Sequence, residues 1–414
     1  MTLIGAGTPL LRAETTPLDS PQSLLSHSDP RRPLLWQRDG AGLSGRGEAL
    51  RLEFSGPERL RDAAAAWRRL CDAATVEDRV GLPGTGLVAF GTFAFSSRSE
   101  AASVLIVPRT VIGTRDGRSW LTRITIGEAE GPDTPSEEPL GAEYHVPLSP
   151  GALPPDGYRA AVAAAVETIR AGELSKVVIA RDLQGRLPPG ADLRRMLGAL
   201  TERYPDCWGF AVDGFLGASP ETLVAVDRGE ISARVLAGTA ARGEDPLADA
   251  DVEAALLESP KDRSEHAFAL ASLVRELEPH TRELTAGAAP FTLRLPNLWH
   301  LATDVRGILG DSSSALDLVD ALHPTAAVAG TPTADALALI EHLEPFDRGR
   351  YAGPVGWIDG NGDGEWAVGL RSAEVTAEGA VTAWAGAGIV ADSVPESELA
   401  ETRMKFRPIT DALA

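Results

Sequence analysis

The chain has 414 residues, of which 43% are hydrophobic and 24% charged, and its net charge is −20. That length exceeds one ordinary compact domain, so a single large sandwich and two lobes are both open, with apolar surface enough for a sizeable core. The acidic excess argues against a general affinity for nucleic acid or anionic membrane, and an anionic ligand would need a local cluster of cations to hold it against the whole-protein field.

Cys71 and Cys207 stand in no CxxC or Cys/His spacing, which leaves no zinc or redox motif and points to a reducing compartment. Met1–Gly7 has no basic stretch leading into an apolar run, and no segment is long and apolar enough to span a bilayer. A cytoplasmic location follows by default.

In chain order, residues 1 to about 50 are rich in Pro, Ser, Gly and Arg and read as an irregular lead-in with one or two strands. Residues 58–74 predict a helix. Gly86–Phe95 reads as a buried strand with glycine breaks, and Ser103–Pro108 and Ser119–Ile126 as further strands. The proline-rich segment 129–157 is the best internal boundary, read as a hinge between two halves of one sandwich rather than a flexible linker. Tyr158, Val162, Val166 and Ile169 then repeat at helical spacing, with Asp156 as cap and Gly172 as stop.

Lys176–Arg181, Gly209–Phe215, Thr222–Val226 and Ile231–Leu236 predict strands, and 246–257 and 260–277 predict helices. A helix at 333–343, strands at 354–359, 366–375 and 380–385, and a closing helix from Pro395 complete the pattern. Antiparallel strand runs with helices outside predict an α+β layered sandwich. No P-loop and no GxGxxG between a strand and a helix is present.

Five places could carry chemistry. On the closing helix, Glu398, Glu401 and Lys405 share one face, while Leu399, Thr402 and Phe406 form a packing face. Two carboxylates and a lysine one turn on can hold a hard divalent cation beside an anion; the plain alternative is a solvated face with a Glu401–Lys405 ion pair. On the helix capped by Ser259, Asp262 and Glu265 share a face, either as ligands or as capping box and surface glutamate. Lys176 opens a strand beside Val178 and Ala180, where burial would suit it as a base unless it snorkels to water. Glu221, after Pro220 at a strand entrance, could act as a general acid or be an exposed turn residue. Leu236–Thr239 and Ala385–Ile389 read as small-residue turns whose N–H groups could cradle a carboxylate.

The order and wording of these pieces resemble the chorismate-utilising enzymes: the isochorismate, salicylate, anthranilate and aminodeoxychorismate synthases. The resemblance runs from about Tyr158 to Pro408. It is carried by Lys176-Val177-Val178-Ile179-Ala180-Arg181, Gly217-Ala218-Ser219-Pro220-Glu221, Leu236-Ala237-Gly238-Thr239 and Lys261-Asp262-Arg263-Ser264-Glu265-His266. His323-Pro324-Thr325, Tyr351 to Trp357, Gly386 to Val390 and Glu398 to Lys405 follow in order.

The resemblance implies one anthranilate-synthase-like domain over 1–414. It would be an α/β/β/α sandwich of two mostly antiparallel sheets, with 1–150 as its N-terminal half and 158–410 as the chorismate-binding region. It implies Lys176 as the base that activates water and Glu221 as the acid for the C4 hydroxyl. Glu265, Glu398 and Glu401 would bind Mg²⁺, with Asp262 directly or through water. Arg371 and Lys405 would pair with the substrate carboxylates. Gly238, Thr239, Gly386 and Gly388 would offer hydrogen bonds, and His300 and Tyr351 would line the pocket.

Within the family, anthranilate synthases resemble this chain but carry an uncharged residue where Lys176 stands, and take ammonia from a glutaminase. Lysine implies water as nucleophile and no glutaminase subunit. Aminodeoxychorismate synthases carry a lysine at the place of Ala237. Salicylate synthases carry a hydroxyl residue near Ala327, so Ala327 implies that the reaction stops at isochorismate, a product that feeds menaquinone or siderophore biosynthesis. The expectation is a monomeric isochorismate synthase acting on chorismate; the alternatives are a salicylate synthase and an inactive chorismate-binding protein.

Overall fold

The computed structural model describes residues 9–19, 23–127, 138–296 and 298–414. Part of the segment 129–157 lies outside these residues, and all of Met1–Gly7 does. Among them, the strands form two sheets of 13 and 10 members. Pairing is antiparallel except where Leu11–Leu18 lies parallel to Thr75–Asp78.

The two sheets face each other across an aromatic layer. Trp36, Trp208, Phe210 and Phe215 of the larger sheet meet Phe90, Val104, Val355 and Trp357 of the smaller one. Trp36 and Trp208 stack with ring centroids 4.7 Å apart. Because side chains alternate along a strand, the opposite faces need separate covers. Met196, Leu197 and Leu200 of the helix Leu193–Arg203, with Phe406 and Ile409 of the closing helix Pro395–Ala412, cover Leu216, Ala218, Ala383 and Ala385. On the smaller sheet, Leu60 and Trp67 of the helix Arg59–Ala73 and Leu316 and Val319 of the helix Ala315–Leu322 pack with Leu52, Leu105 and Val224. The order of layers is helix, sheet, sheet, helix.

Both sheets run through residues from each side of the proline-rich segment. Leu34–Arg38 pairs with Trp208–Val212 in the larger sheet, and Val88–Thr92 with Pro354–Asp359 in the smaller. Among the described residues no helix is long and apolar enough to cross a membrane. Cys71 and Cys207 are both free.

The structure corrects several sequence expectations. The lead-in holds regular strands at Leu11–Leu18, Leu34–Arg38 and Ala41–Arg46, with Leu50–Phe54 at its end. The helix after the boundary is capped by Pro154 with Pro155 in its first turn, and Asp156 lies inside it. Gly209–Phe215 is a hairpin, Trp208–Val212 and Phe215–Ser219, turned at Asp213 and Gly214, both with positive φ (53° and 81°). The expected strand 366–375 is two strands in different sheets, Gly364–Val368 and Ser372–Val375. The supposed turn at Leu236–Thr239 is a bulge inside one strand, Glu230–Ala241. Ala385–Ile389 is no turn either but the end of the strand Ala380–Ile389.

Candidate active site

Two neighbouring crossings between the sheets carry the first two groups. Phe215–Ser219 belongs to the larger sheet and Thr222–Asp227 to the smaller; Pro220 and Glu221 are the link. Gly364–Val368 and Ser372–Val375 make the reverse passage through Gly369, Leu370 and Arg371. Gly217 pairs with Ser372 on one side and Thr222 with Ala367 on the other. Between them the links are tied together: Ser219 Oγ donates to Val368 O at 2.6 Å, and the Val368 N–H to Glu221 O at 3.1 Å. Arg371 takes φ of 50°, a left-handed conformation that costs a non-glycine residue about 1 kcal/mol. Glu221 and Arg371 are thereby held, almost fully buried, on one pocket.

The strand Lys176–Arg186 pairs with Ala380–Ile389, placing Val178 opposite Gly388 and Ala180 opposite Gly386. A Cβ on Gly388 would lie 3.0 Å from Lys176 Cε and 3.5 Å from Glu265 Oε1. One on Gly386 would meet Ile179 O at 2.9 Å and the Tyr351 hydroxyl at 3.2 Å. These glycines clear the space into which Lys176 and Tyr351 project. The bulge in Glu230–Ala241 gives Gly238 a φ of 84° and turns Gly238 and Thr239 toward the pocket.

Two helices bring the acidic groups. Ser259 caps Pro260–Leu277 by accepting from the Asp262 N–H, and its hydroxyl donates to the Asp262 carboxylate. His266 locks this helix to the bulge, with Nε2 2.7 Å from Thr303 Oγ1 and Nδ1 3.3 Å from Ala237 O. Glu265 Oε1 lies 2.7 Å from Lys176 Nζ. On the closing helix, Lys405 Nζ is 2.5 Å from Glu401 Oε1 and donates to Gly386 O at 2.9 Å. Leu399, Thr402 and Phe406 are buried beneath, and Glu398 is buried with them.

All the predicted residues, Lys176, Glu221, Gly238, Thr239, Glu265, His300, Ala327, Tyr351, Arg371, Gly386, Gly388, Glu398, Glu401 and Lys405, with Asp262, border this one cavity. Burial raises the Glu221 carboxyl to about 7, against the pull of Lys176, Arg371 and Lys405. Burial also pushes on Glu265, but the charge and hydrogen bond of Lys176 outweigh it and hold that carboxyl below its ordinary value. Burial and then the Glu401 charge raise Glu398. Burial, reinforced by Arg371 and Lys405, drives His300 far down, so its ring is neutral. Its Nε2 can then accept from Arg371 Nη2 at 3.3 Å, which leaves the proton on Nδ1, near Gly238 O and Thr239 Oγ1.

Arg371 has no carboxylate partner within salt-bridge distance among the described residues, unlike buried Arg194, Arg348 and Arg350, which pair with Asp192, Glu344 and Asp213. A buried guanidinium that faces a cavity, hydrogen-bonded to a neutral imidazole and held in no carboxylate ion pair, is a place for an anion. Among the described residues no three Asp, Glu, His or Cys groups converge closely enough to hold a metal as they stand; Glu265 and Glu401 are turned to lysines instead. The donor chemistry nevertheless fits a hard divalent cation: all-oxygen ligands, with Glu398 raised partly by its like-charged neighbour Glu401.

The family model for chorismate binding enzymes matches residues 11–414. The chain belongs to this family. A chorismate-binding relative from Pseudomonas aeruginosa, a salicylate biosynthesis isochorismate synthase, is 35% identical, covering 97% of this chain and 89% of its own. The isochorismate synthase DhbC of Bacillus subtilis is 39% identical over 67% of this chain and 72% of its own. Among solved structures, MenF, the menaquinone-specific isochorismate synthase of Escherichia coli, superposes with a TM-score of 0.80 at 26% identity, covering 98% of this chain and 95% of that one.

The sequence reading gave no role to Lys261, which also borders the cavity of this chorismate-binding enzyme. A signal was present. Of the 39 Lys and Arg residues only three are lysine, namely Lys176, Lys261 and Lys405, and all three line the same cavity.

Proposed function

We propose that this chain is a magnesium-dependent isochorismate synthase that converts chorismate to isochorismate in the cytoplasm. The observation that carries the reading is Glu221: a buried carboxyl raised to about 7, on the same cavity as the amine of Lys176. A group that keeps its proton near neutral pH is a competent acid, and a lysine across the cavity is a candidate base.

The reaction forms a bond from a water oxygen to ring C2, moves both ring double bonds (C1=C2 to C1=C6 and C5=C6 to C4=C5) and breaks the C4–O bond. Lys176 Nζ takes the proton of the attacking water. Glu221 gives its proton to the departing hydroxyl, which leaves as water. Arg371 and Lys405 hold the carboxylates, with His300 positioning Arg371 and Tyr351 lining the pocket. A magnesium ion at Glu265, Glu398 and Glu401, with Asp262 directly or through water, would draw charge from the ring carboxylate and fix the ring. Glu265 taken up by such an ion would leave Lys176, its present ion-pair partner, free to face water. Water as nucleophile supports the absence of a glutaminase subunit, and a cavity lined from one chain supports a monomer.

Ala327, small and apolar on the cavity wall, supports release at the isochorismate stage. The test is to incubate the protein with chorismate and Mg²⁺, separate the products by chromatography and measure pyruvate in parallel. Isochorismate without pyruvate is expected, with loss of activity in Lys176→Ala. Stoichiometric pyruvate and salicylate would make this a salicylate synthase, and absence of turnover would remove the catalytic roles.

A further inference from the structure

Of the inner cations, Lys176 pairs with Glu265 and Lys405 with Glu401 and Gly386 O, while buried Arg371 contacts the neutral His300 and has no counter-charge paired to it. Lys261 differs. It is exposed, and its charge acts on Glu265 and Glu398 without closing to an ion pair or hydrogen bond among the described residues. It borders both the active-site cavity and an outer cavity, which share Lys176 and Glu265 as well. Lys261 therefore stands where the two cavities adjoin.

Local structure does not explain a lysine there. Lys261 is the second residue of the helix Pro260–Leu277, and a cation in the first turn is opposed by the helix dipole. Composition does not explain it either, because outside this cavity the chain uses arginine for every cationic side chain. Arginine presents a rigid fork that locks onto carboxylates in two-point contacts, and Asp262, Glu265 and Glu398 are close at hand. Lysine is a point charge on a flexible stem that can hold one carboxylate and then release it.

We propose that Lys261 is a positioning residue that captures the incoming dianion at the mouth of the cavity and passes it to the inner cations. Rim charges act on capture and its salt dependence more than on later steps. In a protein of net charge −20 this local cation offsets a field that repels the ligand. The inference rests on chorismate as substrate.

The experiment uses the full chain with Mg²⁺ and compares Lys261→Met and Lys261→Arg with the unaltered protein. Lys261→Met should lower kcat/KM about tenfold at low salt, with kcat moving far less, and the gap should close toward 1 M salt, where the Debye length is about 3 Å. Lys261→Arg should restore kcat/KM only in part, because its fork can lock onto the nearby carboxylates. Unchanged kcat/KM, a loss confined to kcat, or a gap indifferent to salt would overturn the proposal.

Limited acylation read by mass spectrometry gives a measure independent of turnover. Without ligand, Lys261 should be modified ahead of the ion-paired Lys176 and Lys405, and the reverse order would remove it from the mouth. If the unaltered protein fails to convert chorismate, the functional reading fails on that assay, while the labelling order still decides where Lys261 stands.

Discussion

Glu221 links catalysis and stability through one proton. Its carboxyl is raised by burial from 4.5 to about 7. Between those values the unfolded chain has released this proton and the folded chain keeps it, so folding stability falls as pH rises through that window and the penalty is complete above pH 7. Glu221→Gln removes the ionisation. At pH 8, thermal unfolding should show the variant more stable than the unaltered protein by a few kcal/mol, with the difference vanishing near pH 4. Isochorismate formation should be lost in the same variant, and in the unaltered protein it should decline as pH passes 7, on the alkaline limb set by Glu221. A variant that is no more stable at pH 8 would remove the buried-acid assignment. At this scale most of the site was legible, because the residue types and their order carry the resemblance. Lys261 escaped because it lies four residues before Glu265, the spacing of an ordinary helix-surface ion pair.

Elements were legible where one face is apolar and the other polar, as in Pro155–Arg170 and Pro395–Ala412. They were lost where burial on both faces erases the alternation: Trp208–Val212 and Phe215–Ser219 are buried throughout, so nothing in their hydrophobic pattern marks the turn between them. The crossing at Gly369–Arg371 was hidden likewise, since Trp366 to Val368 and Ser372 to Ala373 are buried on both sides of the break. The pair Lys176–Arg186 and Ala380–Ile389 offers a test of element geometry. Gly388→Ala places no residue in a left-handed conformation, but its Cβ would press on Lys176 Cε. Turnover should fall about 10- to 100-fold, the cost of displacing a reacting group by around 1 Å, with the melting temperature nearly unchanged. Undiminished kcat would show that Lys176 does not depend on this glycine for its place.

For the whole molecule, the sequence conveyed the layered class and the need for a local cation cluster, and the cavity supplies Lys176, Lys261, Arg371 and Lys405. It did not convey how closely the first 127 residues are woven into the rest. Partners such as Trp36 with Phe210 and Phe90 with Trp357 are far apart in the chain, and no local pattern encodes their pairing. The aromatic layer formed by both parts, including Trp36, Phe90, Trp208 and Trp357, fixes the spacing between the sheets.

The two side-by-side links that carry Glu221 and Arg371 are stitches through this seam. Any shear that slides one sheet over the other pulls directly on the acid and on the guanidinium, while leaving the ladders within each sheet intact. Enzymatic turnover should therefore act as a strain gauge for the sandwich. In rising urea, activity should fail at concentrations where far-ultraviolet circular dichroism is still native, with tryptophan fluorescence from the aromatic layer changing alongside activity rather than with the loss of strands.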